Sequence, residues 1–221
     1  DTRYQEEKIQ AATNYLNKIW NASRYLLMNI EGEKFNRDFV YEELSSIDKF
    51  ILSKLQNTIE NVTKNNEKYD FANASTHLYN FVYDDFCSSY LEMSKVSLNS
   101  DDENVKQATY QTLLFCLKNI ILLIYPYTPF IAEEIYLSLP QHLESIMLEK
   151  YPTYDCSLVD ETISNQVDLL FAIIRDVRNY KIENKLAPNA QLDFSIKLKQ
   201  DIFQGFETYL RRFTFAKEII F

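Results

Sequence analysis

Only two glycines and five prolines occur in this 221-residue chain. Because glycine and proline are the residues that most often interrupt helices and strands, their scarcity predicts long elements and few turns, which favours helices. Hydrophobic residues make up 46% of the chain and charged residues 25%, a composition typical of a globular protein rather than a disordered one. The length suits one large core, or a core with a small appendage.

Apolar residues recur at helical spacing along most of the chain. The predicted helices cover residues 4–30, 45–62, 71–95, 102–125, 128–139 and 160–186. Local signals mark three of the starts. Ser45 and Asp48 form a capping-box pattern, Asp70 is placed to cap the third helix, and Thr128 caps the fifth ahead of Pro129.

The pattern changes after residue 190. Residues 192–198 alternate as a strand, residues 202–213 return to helical spacing, and residues 216–221 form a second strand pattern. The whole chain is therefore predicted to be mainly α. We expect an antiparallel helix bundle over residues 1–157, followed over residues 158–221 by the last long helix and a small, incomplete α/β appendage.

Cysteine usage, targeting signals and charge narrow the possible functions. The three cysteines are an odd number without C-x-x-C spacing, and the first ten residues lack signal-peptide order. The most apolar run, residues 113–125, is too short to span a bilayer and is predicted to be a buried helix. We expect a cytoplasmic protein without membrane contact. The net charge of -9 argues against generic nucleic-acid binding, so any such contact must be local.

Motifs for catalysis are missing from the sequence. It contains no glycine-rich phosphate loop, no G-x-S-x-G, no H-E-x-x-H and no metal-ligand spacing. His77 and His142 stand alone, and adjacent carboxylates such as Asp84 and Asp85 point about 100° apart on a helix. We therefore expect no catalytic centre, no metal and no cofactor within this chain.

The first predicted helix has an unusual polar side. In the stretch "NYLNKIWNASRYLLMN", residues 14–29, one side is apolar and is predicted to pack in the core with Trp20. The other side carries Asn14, Asn17, Lys18, Asn21 and Arg24. Asparagine is a mediocre helix former, so a surface selected for stability would more often carry Glu, Lys or Ala. Ligand binding, solvation and hydrogen bonds to a neighbouring helix all remain possible explanations.

Several segments, in order along the chain, resemble one known family. They are "NKIWNASRYLLMN" at 17–29, "IDKFILSKL" at 47–55, "FCSSYLEMSK" at 86–95, "YPYTPFIAEEIYLSL" at 125–139, "SIMLEKYP" at 145–152 and "FAIIRDVRNYKIENKLAPN" at 171–189. Together they resemble the C-terminal anticodon-binding helical bundle of class I valyl-tRNA synthetases. Isoleucyl enzymes usually show R-N-T at the position of Trp20, Asn21 and Ala22, and leucyl enzymes lack the "SIMLEKYP" ending. Ser88 and Ser89 depart from the family, which often has an acidic residue and tryptophan there.

A further stretch, "EMSKVS" at 92–97, is similar to the KMSKS signature that contacts ATP in these synthetases. The signature works on a loop beside a nucleotide-binding sheet and together with an HIGH motif, whereas residues 93–95 end a predicted amphipathic helix. No HIGH motif or parallel-sheet pattern occurs in this chain. The similarity is therefore interpreted as coincidental.

The resemblance implies a function and a set of contact residues. The parent enzyme would join valine to its tRNA with ATP, and this chain would recognise and position the tRNA as part of a monomer. Anticodon contacts are expected at Asn14, Asn17, Lys18, Asn21, Arg24, Ser88 and Tyr90, and phosphate contacts at Arg175, Arg178, Lys181 and Lys185. Tyr90 also fits the buried stripe of its helix. The alternatives are the same domain of an isoleucyl enzyme and a helical protein-interaction scaffold.

Overall fold

The computed structural model describes residues 5–30, 39–197 and 205–220. The chain divides into two compact units, Asp1–Val159 and Asp160–Phe221. The boundary predicted from the sequence lay between residues 157 and 158. Residue 4, the first of the first predicted helix, and the first half of the predicted connector at 33–44 lie outside the described residues.

The first unit is helical, as the apolar spacing predicts. Its helices are α1 (Glu6–Ile30), α2 (Ser46–Glu67), α3 (Phe71–Asn80), a π-helix (Phe81–Tyr90), α4 (Leu91–Leu98), α5 (Glu103–Ile124) and α6 (Pro129–Leu137). Short 3-10 turns occupy Tyr41–Glu43, Ile146–Leu148 and Cys156–Leu158. The mainly α fold predicted for the chain is confirmed.

Three helical segments that follow one another in the first unit, α2, then α3 to α4, then α5, alternate in direction along the chain. Asp48, near the start of α2, is bonded to Thr109 near the start of α5, and Asn66 near the end of α2 is bonded to Tyr127 just after α5. The two helices therefore run the same way. Between them in sequence, α3, the π-helix and α4 return in the opposite direction after the turn at residues 68–70. This alternation is the antiparallel bundle expected from short connections.

Two of the predicted helix caps are present as side-chain hydrogen bonds. The backbone N–H of Asp48 donates to Oγ of Ser45 over 3.1 Å, and the N–H of Asn73 donates to Asp70 over 3.2 Å. Thr128 precedes Pro129 as predicted, but its hydroxyl donates to the Ile124 carbonyl instead of capping α6. The start of α6 is therefore set by proline's fixed backbone angle rather than by a threonine cap.

Helix α5 forms the centre of the bundle. Ten of its residues are buried, seven of them in its second half, listed here in order: Thr109, Thr112, Leu113, Cys116, Leu117, Ile120, Ile121, Leu122, Leu123 and Ile124. Among the described helices it is one that is long and apolar enough to cross a membrane by length and composition. The core helix of a soluble bundle meets the same criterion, and α5 packs against α1, α2, α4 and α6. More than half of its apolar window is buried by this packing.

The third predicted helix is not a regular α-helix throughout. Its middle, Phe81–Tyr90, is π-helical, so the prediction of an uninterrupted α-helix over residues 71–95 was wrong in these turns. The hydroxyls of Ser88 and Ser89 each donate to the carbonyl five residues earlier, over 2.6 and 2.9 Å. The wider π turn also places residues five apart on a common side. Phe81 and Phe86 are accordingly both buried at 1% exposure.

The second unit contains one long helix and a small α/β element. Helix α7 (Glu161–Glu183) is followed by β1 (Leu192–Lys197), α8 (Glu207–Thr214) and β2 (Ala216–Ile220). The two strands pair in parallel, with Lys197 opposite Ile220, and α8 packs against α7. The predicted helix start at residue 202 lies outside the described residues.

Candidate nucleic-acid interface

One side of α1 presents a line of polar side chains to solvent. Asn14, Asn17, Asn21 and Arg24 are all exposed, and residues three, four and seven apart lie on the same side of a helix. We call these four residues the α1 stripe. Asn14 accepts a 3.0 Å hydrogen bond from Nε2 of Gln10. The opposite side of α1 is anchored in the core by Ile19, Ala22, Ser23 and Leu26.

The rest of the α1 stripe has unused hydrogen-bonding groups. Within the described part of the chain, the side chains of Asn17, Asn21 and Arg24 make no hydrogen bond or ion pair. Other helical asparagines behave differently. Asn61 and Asn119, for example, each donate to the carbonyl four residues earlier, over 2.7 and 2.8 Å. The described residues therefore contain no bond from Asn17 or Asn21 to a neighbouring helix, and both amides can bind a ligand.

Trp20 lies beside the α1 stripe and not in the core. Its side chain is 42% exposed, so the prediction that it packs inside was wrong. At about 100° per residue, Trp20 lies about 40° from Arg24 around the helix axis and about 60° from Asn17. The buried arc of α1 is narrower than the sequence pattern indicated, since it contains Ile19 and Leu26, each 2% exposed, but not Trp20.

Lys18 is held between α1 and the π-helix. Its Nζ donates to Oγ of Ser88 over 2.6 Å and lies 3.3 Å from the centroid of the Tyr83 ring. Because the Ser88 hydroxyl donates in turn to the Tyr83 carbonyl, one serine connects the lysine to the π-helix backbone. This arrangement fixes the position of a positive charge next to the α1 stripe, where the predicted contacts Lys18 and Ser88 come together.

Tyr83, the ring that the Lys18 ammonium contacts, is part of a stack of three tyrosines. The ring of Tyr79 lies between Tyr15 and Tyr83, with centroid distances of 5.0 and 5.2 Å. Tyr83 was not predicted as a site residue. The i, i+4 spacing of Tyr79 and Tyr83 could have indicated their contact, but the sequence gives no sign of the pairing with Tyr15. Burial raises the pKa of the nearby Cys87 thiol to about 12, which favours the protonated thiol over the thiolate.

The two predicted contacts on the third helix differ in accessibility. Ser88 is exposed, whereas Tyr90 is fully buried and its hydroxyl donates to Asp48 over 2.6 Å. Tyr90 therefore has no surface with which to contact RNA, and its assignment to the anticodon site is corrected to a core position. The reason is the one visible in the sequence, since Tyr90 continues the buried stripe of Phe86.

The basic residues of α7 do not form a uniform surface. Arg175, Arg178 and Lys185 are exposed. Lys181 is only 3% exposed, its Nζ donates to the Pro188 carbonyl over 2.8 Å, and it lies 4.7 Å from the centroid of the Phe215 ring. The structure thus corrects the prediction that Lys181 contacts phosphate, because its ammonium is enclosed by the unit that contains it.

The described residues do not bring together groups suited to metal binding. Over residues 5–30, 39–197 and 205–220, no cluster of three or more His, Cys, Asp or Glu side chains is placed to hold an ion. The "EMSKVS" stretch lies entirely in α4, with Met93 and Ser94 buried and Lys95 paired to Glu92 at 2.6 Å. It occupies a packed helix, as its sequence spacing predicts, rather than a loop beside a sheet.

Comparison with known proteins gives a family match over most of the chain. A family model described as the anticodon-binding domain of tRNA ligase matches residues 48–196. A valine–tRNA ligase of Bacillus thuringiensis is 39% identical over 99% of this chain and 25% of that protein. The enzyme of the same name from Geobacillus stearothermophilus is 38% identical over 100% of this chain and 26% of that protein. The chain thus spans about a quarter of the length of the curated relatives it matches.

A solved structure has a similar fold. The LeuRS of Agrobacterium radiobacter K84, crystallised in a ternary complex with tRNA and LeuAMS, matches with a TM-score of 0.53 at 20% sequence identity. The match covers 72% of this chain and 18% of the LeuRS chain.

Proposed function

The chain belongs to the family of anticodon-binding domains of tRNA ligases, and we propose that it is the part of a valine–tRNA ligase that reads the valine anticodon. One observation carries the proposal at the level of residues. Asn17, Asn21 and Arg24 lie on one exposed side of α1, and their side chains form no hydrogen bond or ion pair within the described residues. The site is therefore open to a ligand that offers both donors and acceptors.

Unpaired nucleobases are ligands of this kind. Proteins read single-stranded RNA through hydrogen bonds to exposed base edges, together with stacking on aromatic or guanidinium planes. An asparagine amide offers a donor and an acceptor at once, which matches the mixed edge of a base. Asn17 and Asn21 are four residues apart, so they contact neighbouring positions along the loop. Arg24, one turn from Asn21, supplies the positive charge for a phosphate or a base plane.

The acidic charge of the chain is compatible with this role. A net charge of -9 gives little non-specific attraction to RNA. Lys18 and Arg24 place positive charge at the site itself, and Arg175, Arg178 and Lys185 are exposed in the second unit. We expect the remaining phosphate contacts to come from other parts of the parent ligase. The isolated chain should accordingly bind weakly and only at low salt.

The chemistry of ligation belongs to the parent enzyme in this proposal. The relatives are named valine–tRNA ligases and are about four times as long as the region matched here. Attachment of valine with ATP would occur in the remainder of such an enzyme, in the cytoplasm, with the ligase acting as a monomer. This chain would hold the anticodon so that the acceptor end of the tRNA reaches the distant catalytic centre.

Competitive binding at low salt tests the proposal. A dye-labelled valine anticodon stem-loop is bound to the chain and displaced by unlabelled loops that differ in the anticodon alone. One competitor has altered middle and third anticodon bases, and another carries an isoleucine anticodon, which shares the middle adenine and differs in the third base. We expect the valine loop to compete best. Equal competition by every loop would contradict anticodon reading.

Variants of the chain connect the result to α1. The double substitution Asn17→Ala/Asn21→Ala should remove the preference for the valine loop. Asn61→Ala/Asn65→Ala is the matched control, because it makes the same change at the same spacing on α2, where both amides bond to their own helix. Preference retained in the first variant, or lost in the second, would contradict the assignment of base reading to the α1 stripe.

A further inference from the structure

The exposed indole of Trp20 is the feature of α1 that base reading by asparagine leaves unexplained. Tryptophan is the largest apolar side chain, and this one leaves 42% of its surface in water. Within the described residues, no hydrogen bond, ring stack or cation contact involves it. A side chain of this size at the edge of a binding surface is typical of a contact residue, because its plane and its N–H both remain available.

The neighbours of Trp20 indicate what kind of ligand covers it. Arg24 lies one turn after it and Asn17 one turn before it, so the indole borders the two polar groups along one edge of the α1 stripe. The contact of α1 with the core is made by other side chains, since Ile19 and Leu26 are each 2% exposed while the indole stays in solvent. A flat apolar ring next to an amide and a guanidinium matches an unpaired nucleobase, which presents an apolar face and a polar edge.

From this arrangement we infer that Trp20 stacks on an unpaired nucleobase of the anticodon loop while the adjacent polar side chains contact its edge or the backbone. The inference rests on the proposed function and adds to it a stacking residue. Base–aromatic stacking is tolerant of sequence, because every base has a π-face. Trp20 would therefore contribute affinity, and the asparagines would contribute the choice of base.

The chain supplies its own probe for this contact. Trp20 is the single tryptophan among the 221 residues, so all tryptophan emission comes from this position. A titration with unlabelled valine anticodon stem-loop at low salt should quench the emission, and bound RNA should shield the indole from acrylamide. Anisotropy of the dye-labelled stem-loop measures binding independently of the tryptophan.

Two variants make the test specific. Trp20→Ala should weaken binding of the labelled loop roughly 5- to 100-fold, and Trp20→Phe should weaken it less, because phenylalanine retains a stacking ring. For the reporter control, Tyr154→Trp is introduced into the Trp20→Phe chain. Tyr154 is 43% exposed, which is close to the exposure of Trp20. The next residue is held against α2, because the Asp155 N–H donates to the Gln56 side chain. Its emission should be unaffected by the stem-loop.

The outcomes separate the inference from the function on which it rests. Normal anisotropy binding with unchanged Trp20 emission, or unchanged affinity in Trp20→Ala, would overturn the stacking contact and leave the proposed function in place. Equal quenching of the tryptophan at position 154 would also overturn it, because the effect would then not depend on the site. Failure of any stem-loop to bind at low salt would overturn both. Melting temperatures close to that of the unaltered chain verify that each variant is folded.

Discussion

The hydroxyl of Tyr90 donates a 2.6 Å hydrogen bond to Oδ1 of Asp48, and this contact joins the π-helix to the start of α2 inside the bundle. Asp48 is 1% exposed, and its Oδ2 accepts from Thr109 over 2.9 Å and from Ser45 over 2.7 Å. A buried carboxylate without such donors would be strongly unfavourable. The cluster therefore connects α2, the π-helix and α5, and α1 packs against the last two of these elements.

Tyr90→Phe removes one donor from this carboxylate. We expect the free energy of unfolding to fall by about 1–3 kcal/mol, the usual cost of leaving a buried polar group without its partner. Urea unfolding followed by circular dichroism measures the loss. Affinity for the anticodon stem-loop should not change, since Tyr90 has no exposed surface. Tyr127→Phe is the control, because its bond to Asn66 is only partly buried and should contribute less. A folded Tyr90→Phe chain with impaired loop binding would contradict the core assignment.

The buried carboxyl also predicts a particular pH dependence. Burial raises the pKa of Asp48 above its ordinary value of 3.8, despite the opposing hydrogen bonds. The folded chain therefore keeps this proton to higher pH than the unfolded chain. As pH rises from about 3.8 through the raised pKa, ionisation of Asp48 lowers the free energy of unfolding, and above that pKa the effect is constant.

Asp48→Asn isolates this effect, because asparagine has a similar shape and does not ionise. The stability of the unaltered chain relative to the variant should fall across that pH window and then level off, measured by urea unfolding at a series of pH values. Asp70 and Glu149 have lowered pKa values, from hydrogen bonds with Asn73 and with Lys118, and these produce the opposite slope. Both occur in each protein and cancel in the difference. A difference that rises with pH would contradict the prediction.

The helices could be predicted from the sequence because their signals are local. Apolar spacing, together with the caps at Ser45 and Asp70, identifies α2 and α3 with starts within a residue or two of the structure. The π-helix could not be predicted in this way. Its wider turn is associated with long-range packing of Phe81 and Phe86 and with serine hydroxyls that bond five residues back. Neither feature has a signature in apolar spacing.

In the candidate site, too, some positions could be predicted from local sequence signals and others could not. The exposed polar side of α1 follows from helix geometry, so the positions of Asn17, Asn21 and Arg24 were predictable. Trp20 and Lys181 were placed wrongly, because apolar or charged character alone does not determine which side chains a partner element covers. Ile19 and Leu26 are buried while the indole of Trp20 stays exposed, and the Pro188 carbonyl with the Phe215 ring encloses the ammonium of Lys181. Contacts between distant segments decided both cases.

Ser88→Ala should make the Lys18 side chain, which lies beside the α1 stripe, more mobile. The substitution removes the acceptor for Lys18 and the bond to the Tyr83 carbonyl, so the lysine regains rotamer freedom that binding must then restrict. We expect affinity for the stem-loop to fall about two- to tenfold, as ordering one long side chain costs. Ser89→Ala is the matched control, because among the described residues its hydroxyl bonds to its own helix, at the Asp84 carbonyl, and not to α1. Equal losses in the two variants would attribute the effect to the π-helix rather than to Lys18. Fluorescence anisotropy of the labelled loop measures both.

The enclosed lysine of α7 makes the final prediction. Lys181→Ala removes an ammonium bonded to the Pro188 carbonyl and an aliphatic chain packed in the second unit, so unfolding of that unit should become easier by about 1–3 kcal/mol. Hydrogen exchange of the backbone amides in α7, α8 and β2 measures the loss within this unit. Arg178→Ala is the matched control, because Arg178 is exposed on the same helix and the substitution should leave exchange unchanged.

The same two variants should have the opposite effects on RNA binding. The salt dependence of affinity for the stem-loop or the whole tRNA reports phosphate contacts. It should become smaller in Arg178→Ala and stay unchanged in Lys181→Ala, because the exposed arginine can contact phosphate and the buried lysine cannot. A smaller salt dependence in Lys181→Ala with normal exchange would show that the lysine reaches RNA after all.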